Sequence, residues 1–351
     1  MTIPLVSICS LAYNHAPYIR QCLDGFVMQK TNFPIEFIIH DDASTDGTAD
    51  IIREYEHKYP DIIKPIYQTE NQFSKGINFG KNLIIPRIQG KYFALCEGDD
   101  YWTDEYKLQK QIDFLEANKD FSICYHPVKM YKQEEGVFVE SYWEKLNYPD
   151  ITDIKMLAEN NHIHTASVIY RYDRKIFEEL YNFSLLPVGD YQCHMLFAKS
   201  GKIKRLPDTM AVYRMHKNSI WGLKTIDYQV TIWLKVLESL LTYFNKERDI
   251  FEILKKQYIR TANGLFSIHA NNKGDIPQYV FDQIKNYSEE IFYTIIKENI
   301  IENCTFKNSV YGNIIEYYGN SIILTFILRC YRKVNFIGSK ISHYIKNLFT
   351  K

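Results

Sequence analysis

Residues 35–48 read IEFIIHDDASTDGT, and this stretch decides the fold. Four of its first five residues are apolar strand formers, and this predicted strand ends in His40, Asp41 and Asp42. Asp46, Gly47 and Thr48 then open an amphipathic helix pattern. A strand that passes through a short polar turn into a helix is typical of a parallel α/β sheet.

The same strand–turn–helix pattern recurs on both sides of this stretch. Residues 5–11, 62–67 and 92–96 form further predicted strands, and Asn14 and Thr103 are predicted to cap the helices that follow the first and the last. The alternation predicts a Rossmann-like, mostly parallel sheet with flanking helices. Such a sheet binds ligands at the carboxyl ends of its strands.

Composition sets the class of protein. A length of 351 residues with 46% apolar residues allows one large α/β domain and a smaller appendage. Lys and Arg number 42, as do Asp and Glu, so the formal net charge is zero. This balance gives no sign of nucleic-acid binding.

The pattern of cysteines and the lack of a recognisable targeting signal favour a cytoplasmic protein. The seven cysteines are scattered and form no CxxC pair, which favours a reducing compartment. The N-terminus lacks the basic region of a signal peptide. No uncharged apolar stretch reaches the ~18 residues of a transmembrane helix.

Two acidic clusters follow predicted strands. One contains Asp41 and Asp42, and the other is Glu97-Gly98-Asp99-Asp100. Carboxylates at a strand end can accept hydrogen bonds from a base or ribose, and they can ligate Mg²⁺ or Mn²⁺ on a diphosphate. The alternatives are helix capping for the first cluster and a solvated acidic turn for the second.

Asp190 stands at the start of an apolar helix. A carboxylate there either stabilises the helix dipole or acts as a general base that takes the proton from an acceptor hydroxyl. One residue separates His162 from His164 in a predicted extended segment. Without a third ligand nearby in the sequence, they are assigned acceptor-side or structural roles.

A short strand at residues 211–215 leads into the last candidate cluster. His216 is either a surface imidazole or a nitrogen ligand for Mn²⁺. Arg214 or Lys217 could reach a diphosphate as cations. Trp221 and Glu97 complete the candidates for diphosphate or acceptor contacts.

These clusters, in this order, resemble the family 2 glycosyltransferases with the GT-A fold. Residues 6–14, VSICSLAYN, resemble that family's first strand and Tyr-Asn turn, and residues 41–48 match its Asp-Asp-x-Ser-x-Asp-x-Thr signature. Residues 97–102, EGDDYW, resemble its metal motif, with Glu97 in place of the usual Asp. The resemblance implies a transferase domain over residues 1–222 and a helical C-terminal region over 223–351.

The resemblance also implies roles for single residues. The residues that it implies in nucleotide binding are Ala12, Tyr13, Asn14, Asp41, Asp42 and Asp99. Asp100 would ligate Mn²⁺ or Mg²⁺, with His216 as a second ligand or diphosphate contact. Asp190 would be the catalytic base, and Gly189 replaces the acid that often precedes it.

The implied activity is inverting transfer of one sugar from a nucleoside-diphosphate sugar, with UDP as the expected nucleotide. The expected acceptor is a hydroxyl of a glycan or lipid-linked molecule in cell-surface polysaccharide synthesis. Two alternatives stay open: a catalytically degenerate nucleotide-sugar-binding module, because of Gly189, and a sugar nucleotidylyltransferase. The latter needs a Gly-rich, Arg-containing loop where this chain has Ala12-Tyr13-Asn14-His15.

The C-terminal tail is basic. No acidic residue follows Glu316, and the apolar residues 322–328 precede several Arg and Lys. A basic amphipathic segment is attracted to anionic lipid surfaces. The tail therefore predicts peripheral attachment to the inner face of the plasma membrane. The alternative is a helical subdomain that packs on the catalytic domain or forms a homodimer contact.

Overall fold

The computed structural model describes residues 3–77, 84–141, 146, 148–180, 183, 189–219, 221, 224–272 and 277–302. The chain divides into two compact units, residues 1–257 and 258–351. The basic tail predicted to meet a membrane lies outside the described residues.

The twelve strands of the described residues all belong to the first unit. They are β1 Val6–Ala12, β2 Ile35–Asp41, β3 Ile63–Tyr67, β4 Tyr92–Leu95, β5 Tyr101–Trp102, β6 Phe121–Tyr125, β7 Val128–Lys132, β8 Val137–Glu140, β9 Ile151–Thr152, β10 Ile169–Arg171, β11 Lys202–Arg205 and β12 Ala211–Met215. Eight of them form a sheet in the order β3-β2-β1-β4-β10-β6-β11-β9, and four form a second sheet in the order β5-β12-β7-β8.

Helices connect and flank these strands. They are α1 Ile19–Val27, α2 Thr48–Lys58, α3 Lys107–Ala117, α4 Ile154–Glu159, α5 Arg174–Leu180, α6 Asp190–Ala198, α7 Ile226–Tyr243, α8 Arg248–Asn272, α9 Gln278–Tyr287 and α10 Glu289–Glu302. The division between the two units falls within α8.

The pairing of β1 positions the functional end of the large sheet. β1 pairs in parallel with β2 on one side and with β4 on the other, and β2 pairs in parallel with β3. β10 runs antiparallel between β4 and β6. This arrangement confirms the predicted mixed, mostly parallel sheet with flanking helices. It brings the carboxyl ends of β1, β2 and β4 to one edge.

The first unit extends beyond the predicted boundary at residue 222. Helix α7 packs on α6, where Trp233 stacks on Tyr191 at 5.0 Å between ring centroids and Gln192 Nε2 donates to Ser239 Oγ at 2.6 Å. The sequence changes to helix near 222, but apolar packing carries the first unit through α7, so the unit ends at residue 257.

Two predicted helix caps were wrong. Helix α1 begins at Ile19 with Tyr18 at the cap position, and α3 begins at Lys107 with Tyr106 there. Asn14 is instead a loop residue with φ 54°. The backbone N–H of Thr103 donates to the Met210 carbonyl at 3.0 Å, because the preceding residues form the short strand β5 against β12.

Apolar side chains fill the space between the sheet and its helices. Ile8 and Phe37 of the strands and Leu23 of α1 belong to one buried cluster of the large sheet. The five described cysteines are free and buried. Among the described residues, no helix has both the length and the apolar character that crossing a membrane requires.

Candidate active site

Both acidic clusters attach to the end of β1. The backbone N–H of Asp42 donates to the Ala12 carbonyl at 2.9 Å, and that of Gly98 donates to the Leu11 carbonyl at 2.8 Å. The residue after β2 and the turn after β4 therefore flank one strand end. This is the edge at which the sequence predicted a nucleotide site.

Side chains join the loops that follow β1 and β2. Asn14 Oδ1 accepts the Thr45 backbone N–H at 2.9 Å, and the Asn14 N–H donates to Ser44 Oγ at 2.9 Å. Asp46 Oδ2 accepts the Ala16 N–H at 3.0 Å, while its other oxygen accepts the N–H of Thr48 at 3.0 Å. The signature residues 44–48 therefore shape the predicted base-binding loop as well as the start of α2.

Asp41 and Asp42 are both buried but differ in their contacts. The carboxylate of Asp42 accepts the backbone N–H groups of Gln72 at 2.7 Å and Phe73 at 3.0 Å, so it orders the loop after β3. Asp41 Oδ2 accepts the Ser44 N–H at 3.3 Å, whereas its Oδ1 has no hydrogen-bond partner in the structure. Of these two predicted nucleotide contacts, Asp41 therefore has the freer acceptor.

Tyr13 lies beside this strand end and is 47% exposed. An exposed aromatic ring next to unpaired acceptors can stack on a nucleotide base. The positions of Ala12, Tyr13 and Asn14 agree with the predicted nucleotide loop, and their contact with a nucleotide stays a prediction.

Asp99 is paired with imidazoles. His216 Nε2 lies 2.9 Å from Asp99 Oδ2, and His15 Nε2 lies 3.9 Å from the same oxygen. Burial acts to raise the pKa of Asp99, but the hydrogen bond from His216 and the charge of His15 outweigh it, so the pKa is lowered. Burial lowers the pKa of His15 despite the nearby carboxylate. His216 thus pairs with Asp99, and its predicted role as a metal ligand or diphosphate contact stays a prediction.

Arg214 forms hydrogen bonds to the acidic turn at residues 97–100. Its backbone N–H donates to Asp100 Oδ1 at 2.8 Å and its Nε–H to the Asp99 carbonyl at 2.8 Å. The remaining guanidinium nitrogens donate to the side-chain oxygens of Gln133 and Gln21. These contacts, with the burial of the residue, show that Arg214 supports the acidic turn, and its contact with a diphosphate stays a prediction. Asp100 Oδ2 is buried without a hydrogen-bond partner.

Asp190 is the first residue of α6 and its side chain is 25% exposed. Its Oδ2 accepts the Thr165 hydroxyl at 3.0 Å, and its Oδ1 accepts the Tyr191 N–H at 2.8 Å.

Burial, aided by the charges of Asp99 and Asp190, raises the pKa of Glu97 to about 8. The charges of both acids therefore act on Glu97, although Asp99 and Asp190 come from different chain segments.

Tyr213 shows how closely the acidic side chains approach one another. Burial raises its pKa, and the charges of four carboxylates raise it further. They belong to Asp100, Asp99, Asp190 and Glu97. Acids from two distant chain segments therefore lie near enough to Tyr213 of β12 for their charges to act on it.

Lys217 and Trp221 are the two candidates that the structure does not bring to the acidic turn. Lys217 is exposed, and its backbone N–H donates to Glu134 Oε1 at 2.9 Å. Trp221 lies 6.4 Å from Trp233 of α7 between ring centroids, and its carbonyl accepts from Gln229 at 2.9 Å. Their roles at the diphosphate or acceptor stay predictions.

Sequence reasoning missed three residues of the site: His15, Thr165 and Tyr213. None stands in a pattern that marks it, since His15 only follows the Tyr-Asn turn and Tyr213 alternates within an ordinary strand. Each acquires its place through contacts with residues remote in sequence.

Comparison with known proteins assigns the family. Residues 7–181 match the family model described as Glycosyl transferase family 2. The chain belongs to the family 2 glycosyltransferases.

Relatives of this family 2 glycosyltransferase include proteins of several bacteria. An uncharacterized protein of Mycobacterium tuberculosis is 41% identical over 216 residues, which are 62% of this chain and 60% of that protein. The putative teichuronic acid biosynthesis glycosyltransferase TuaG of Bacillus subtilis is 38% identical over 112 residues, 32% of this chain and 42% of TuaG. The chain thus matches about 60% or less of the length of these relatives.

A solved structure shares the fold of this family 2 glycosyltransferase. S. aureus TarS 1-349, in complex with UDP-GlcNAc, aligns with a TM-score of 0.55 at 16% identity and covers 85% of this chain and 92% of that one. This structural similarity shows that the chain shares the GT-A fold.

Proposed function

We propose that this chain transfers one sugar from a nucleoside-diphosphate sugar to an acceptor hydroxyl, with inversion at the anomeric carbon. The observation that carries the proposal is the edge at the carboxyl ends of β1, β2 and β4, where the turn that holds Asp99 meets His216 and the charge of Asp190 acts on Glu97 of the same turn. One edge thus holds the acids for binding a diphosphate and, from another segment, an acid able to take a proton.

A UDP-sugar is the proposed donor. The unpaired, buried Oδ1 of Asp41 and the exposed ring of Tyr13 suit a base that has an N–H donor and a flat face. The fold shared with TarS, which was solved with UDP-GlcNAc, supports the same nucleotide. The similarity to TuaG supports a glycan or lipid-linked acceptor in cell-surface polysaccharide synthesis.

The side chains at Asp99 fit a divalent cation, Mn²⁺ or Mg²⁺. An imidazole beside a carboxylate offers one nitrogen and one oxygen, and His216 becomes a ligand once it gives up the proton on Nε2. Among the described residues no three His, Cys, Asp or Glu side chains group as a metal site, so diphosphate and water would complete the ligand set. When bound, the ion would neutralise charge on the leaving diphosphate.

This proposal moves the predicted metal contact from Asp100 to Asp99. Asp100 Oδ1 already accepts the Arg214 N–H, and the side chain is buried beneath the turn. Asp99 lies between His216 and His15. Asp100 is accordingly assigned to shaping the turn.

Asp190 is the proposed base. Its carboxylate is partly exposed, so an acceptor can reach it. The acceptor oxygen forms a bond to the anomeric carbon as the bond from that carbon to the diphosphate oxygen breaks, and Asp190 takes the hydroxyl proton. Attack opposite the leaving group inverts the configuration.

The test is transfer by the full chain with a panel of UDP-sugars, then other nucleoside-diphosphate sugars, with and without Mn²⁺. The expected result is Mn²⁺-dependent release of UDP and a product whose anomeric configuration, read by proton NMR, is opposite to that of the donor. A product of retained configuration overturns the mechanism. Mn²⁺-dependent thermal stabilisation by a donor, without transfer or hydrolysis, favours the binding-only alternative.

Peripheral attachment to an anionic membrane, through residues 320–351, is the proposal for location. It is supported by the basic, apolar sequence of that segment. Flotation with vesicles containing phosphatidylglycerol should carry the full chain upward but leave a chain ending at residue 319 behind. Equal flotation of both overturns the attachment.

A further inference from the structure

A buried tyrosine–histidine pair lies behind the proposed base. His194 follows Asp190 by one turn of α6, and its Nε2 lies 3.9 Å from Asp190 Oδ2. On the other side of the imidazole, Nδ1 lies 2.5 Å from the hydroxyl of Tyr170 in β10. Both His194 and Tyr170 are 0% exposed. The three side chains form a row from the sheet to the site.

The row favours one tautomer of His194. Burial lowers the pKa of His194, although Asp190 acts in the opposite direction, and the ring is therefore neutral at pH 7. A neutral imidazole carries one N–H, and a Tyr170 hydroxyl that donates to Nδ1 leaves that proton on Nε2. Nε2 is the nitrogen that faces Asp190. The backbone of Ile163 also lies against the ring and, like Asp190, acts to raise its pKa.

We propose that His194 is a positioning residue for Asp190: held by Tyr170, its ring presents Nε2–H to Oδ2 of the base. This inference rests on the proposed transferase function. Side chains of a helix lean toward its N-terminus, so residue 194 leans toward residue 190. The 3.9 Å separation is longer than a hydrogen bond and closes by a small rotation of the carboxylate or through one water.

The two oxygens of the Asp190 carboxylate then have different roles. The Thr165 hydroxyl already donates to Oδ2, and His194 adds a second donor to the same oxygen. Oδ1, which accepts only a backbone N–H among the described contacts, is left to receive the acceptor's proton. Fixing the base in this way improves turnover rather than donor affinity.

The tautomer can be measured without turnover. In the full chain labelled with ¹⁵N-histidine, a long-range ¹H–¹⁵N spectrum should show His194 as the neutral Nε2–H form, with its signal identified by its loss in His194→Gln. Asp190→Asn should shift the Nε2 resonance. An Nδ1–H tautomer, or an Nε2 resonance that ignores Asp190→Asn, overturns the positioning role.

Kinetics give the second readout. His194→Leu should lower kcat by about tenfold or more with donor KM little changed, as for other groups that orient a reacting side chain. His194→Gln, whose amide places an N–H near the position of Nε2, should recover much of that loss. The control is His57→Gln, because the imidazole of His57 is exposed on α2. Equal kcat losses in the Leu and Gln variants, or a loss confined to KM, overturn the inference.

The two readouts separate the proposals. If the wild-type chain transfers no sugar but its His194 is the Nε2–H tautomer and responds to Asp190→Asn, the proposed function is wrong. The contact between His194 and Asp190 is then still supported. An active wild-type chain with the Nδ1–H tautomer defeats only the positioning role.

Discussion

His216 Nε2 lies 2.9 Å from Asp99 Oδ2, which joins the end of β12 to the turn after β4 across 117 residues of sequence. The ring of Tyr18 packs on His216 with 4.5 Å between centroids and holds the imidazole on the carboxylate. A nitrogen and an oxygen ligand are therefore brought together by the fold itself. The predictions below begin from this pair.

Removal of either member of the pair should weaken cation binding. His216→Ala and Asp99→Asn should each lower the affinity for Mn²⁺ in the presence of UDP by about 10-fold to 100-fold, because each removes one of two protein ligands. Titration calorimetry measures the affinity. Arg53→Ala is the control, since the ion pair of Arg53 with Asp50 on α2 is exposed. Loss of binding in Asp100→Asn, with Asp99→Asn unaffected, would restore the assignment made from the sequence.

Asp190→Asn should abolish turnover but preserve donor binding. The amide keeps the shape of the side chain and cannot accept the acceptor's proton, so kcat should fall by about 10²–10⁴-fold. Donor affinity, measured by thermal shift with UDP, should stay unchanged. Thr165→Val is the comparison, because it removes one hydrogen bond to Oδ2 and leaves the base in place. A fully active Asn variant would exclude Asp190 as the base.

Asp46→Ala should destabilise the chain and weaken donor binding together. It removes the acceptor for the N–H groups of Ala16 and Thr48, which costs about 1–2 kcal/mol of unfolding free energy. The nucleotide loop loses an anchor at the same time. Asp50→Ala on α2 is the control, since its ion pair with Arg53 is exposed. Thermal unfolding and UDP titration measure both effects; a destabilised variant with unaltered UDP affinity would contradict the coupling.

His162 should make stability depend on acid pH. Burial lowers its pKa from 6.5 to about 4 in the folded chain, so between these values the unfolded chain binds a proton that the folded chain does not. Unfolding free energy should therefore fall as pH drops from 6.5 toward 4, by up to about 1.4 kcal/mol per pH unit from this group. Denaturant melts of His162→Gln should lack this part of the slope. The control is the same comparison above pH 8, where the imidazole of His162 is neutral in both the folded and the unfolded chain and the two slopes should agree.

The sheet and the acidic strand ends could be predicted because their signals are local. The apolar run of residues 35–39 and the acids that follow it specify a strand and its end without reference to distant residues. The motif order then led to the family, and the family model and the fold agree with it.

Partners within the site could not be predicted in the same way. Asn14 was predicted to be a helix cap, yet it bonds to Thr45 of the next loop. The hydrogen bonds of Arg214 to the acidic turn and to two glutamines could not be foreseen either. The sequence shows which side chains can donate and accept. It does not show which distant backbone groups will be near enough to use them.

The sequence by itself determined the alternation of strands and helices and the placing of carboxylates at two strand ends. Hydrophobic periodicity and turn chemistry act over a few residues, so one sequence suffices to read them. Tertiary structure decided that His216 faces Asp99, that Asp100 lies beneath the turn, and that His194 and Tyr170 stand behind Asp190. These relationships depend on strand order and on the packing of α6 against the sheet, because side chains tens of residues apart meet only after the whole core has formed.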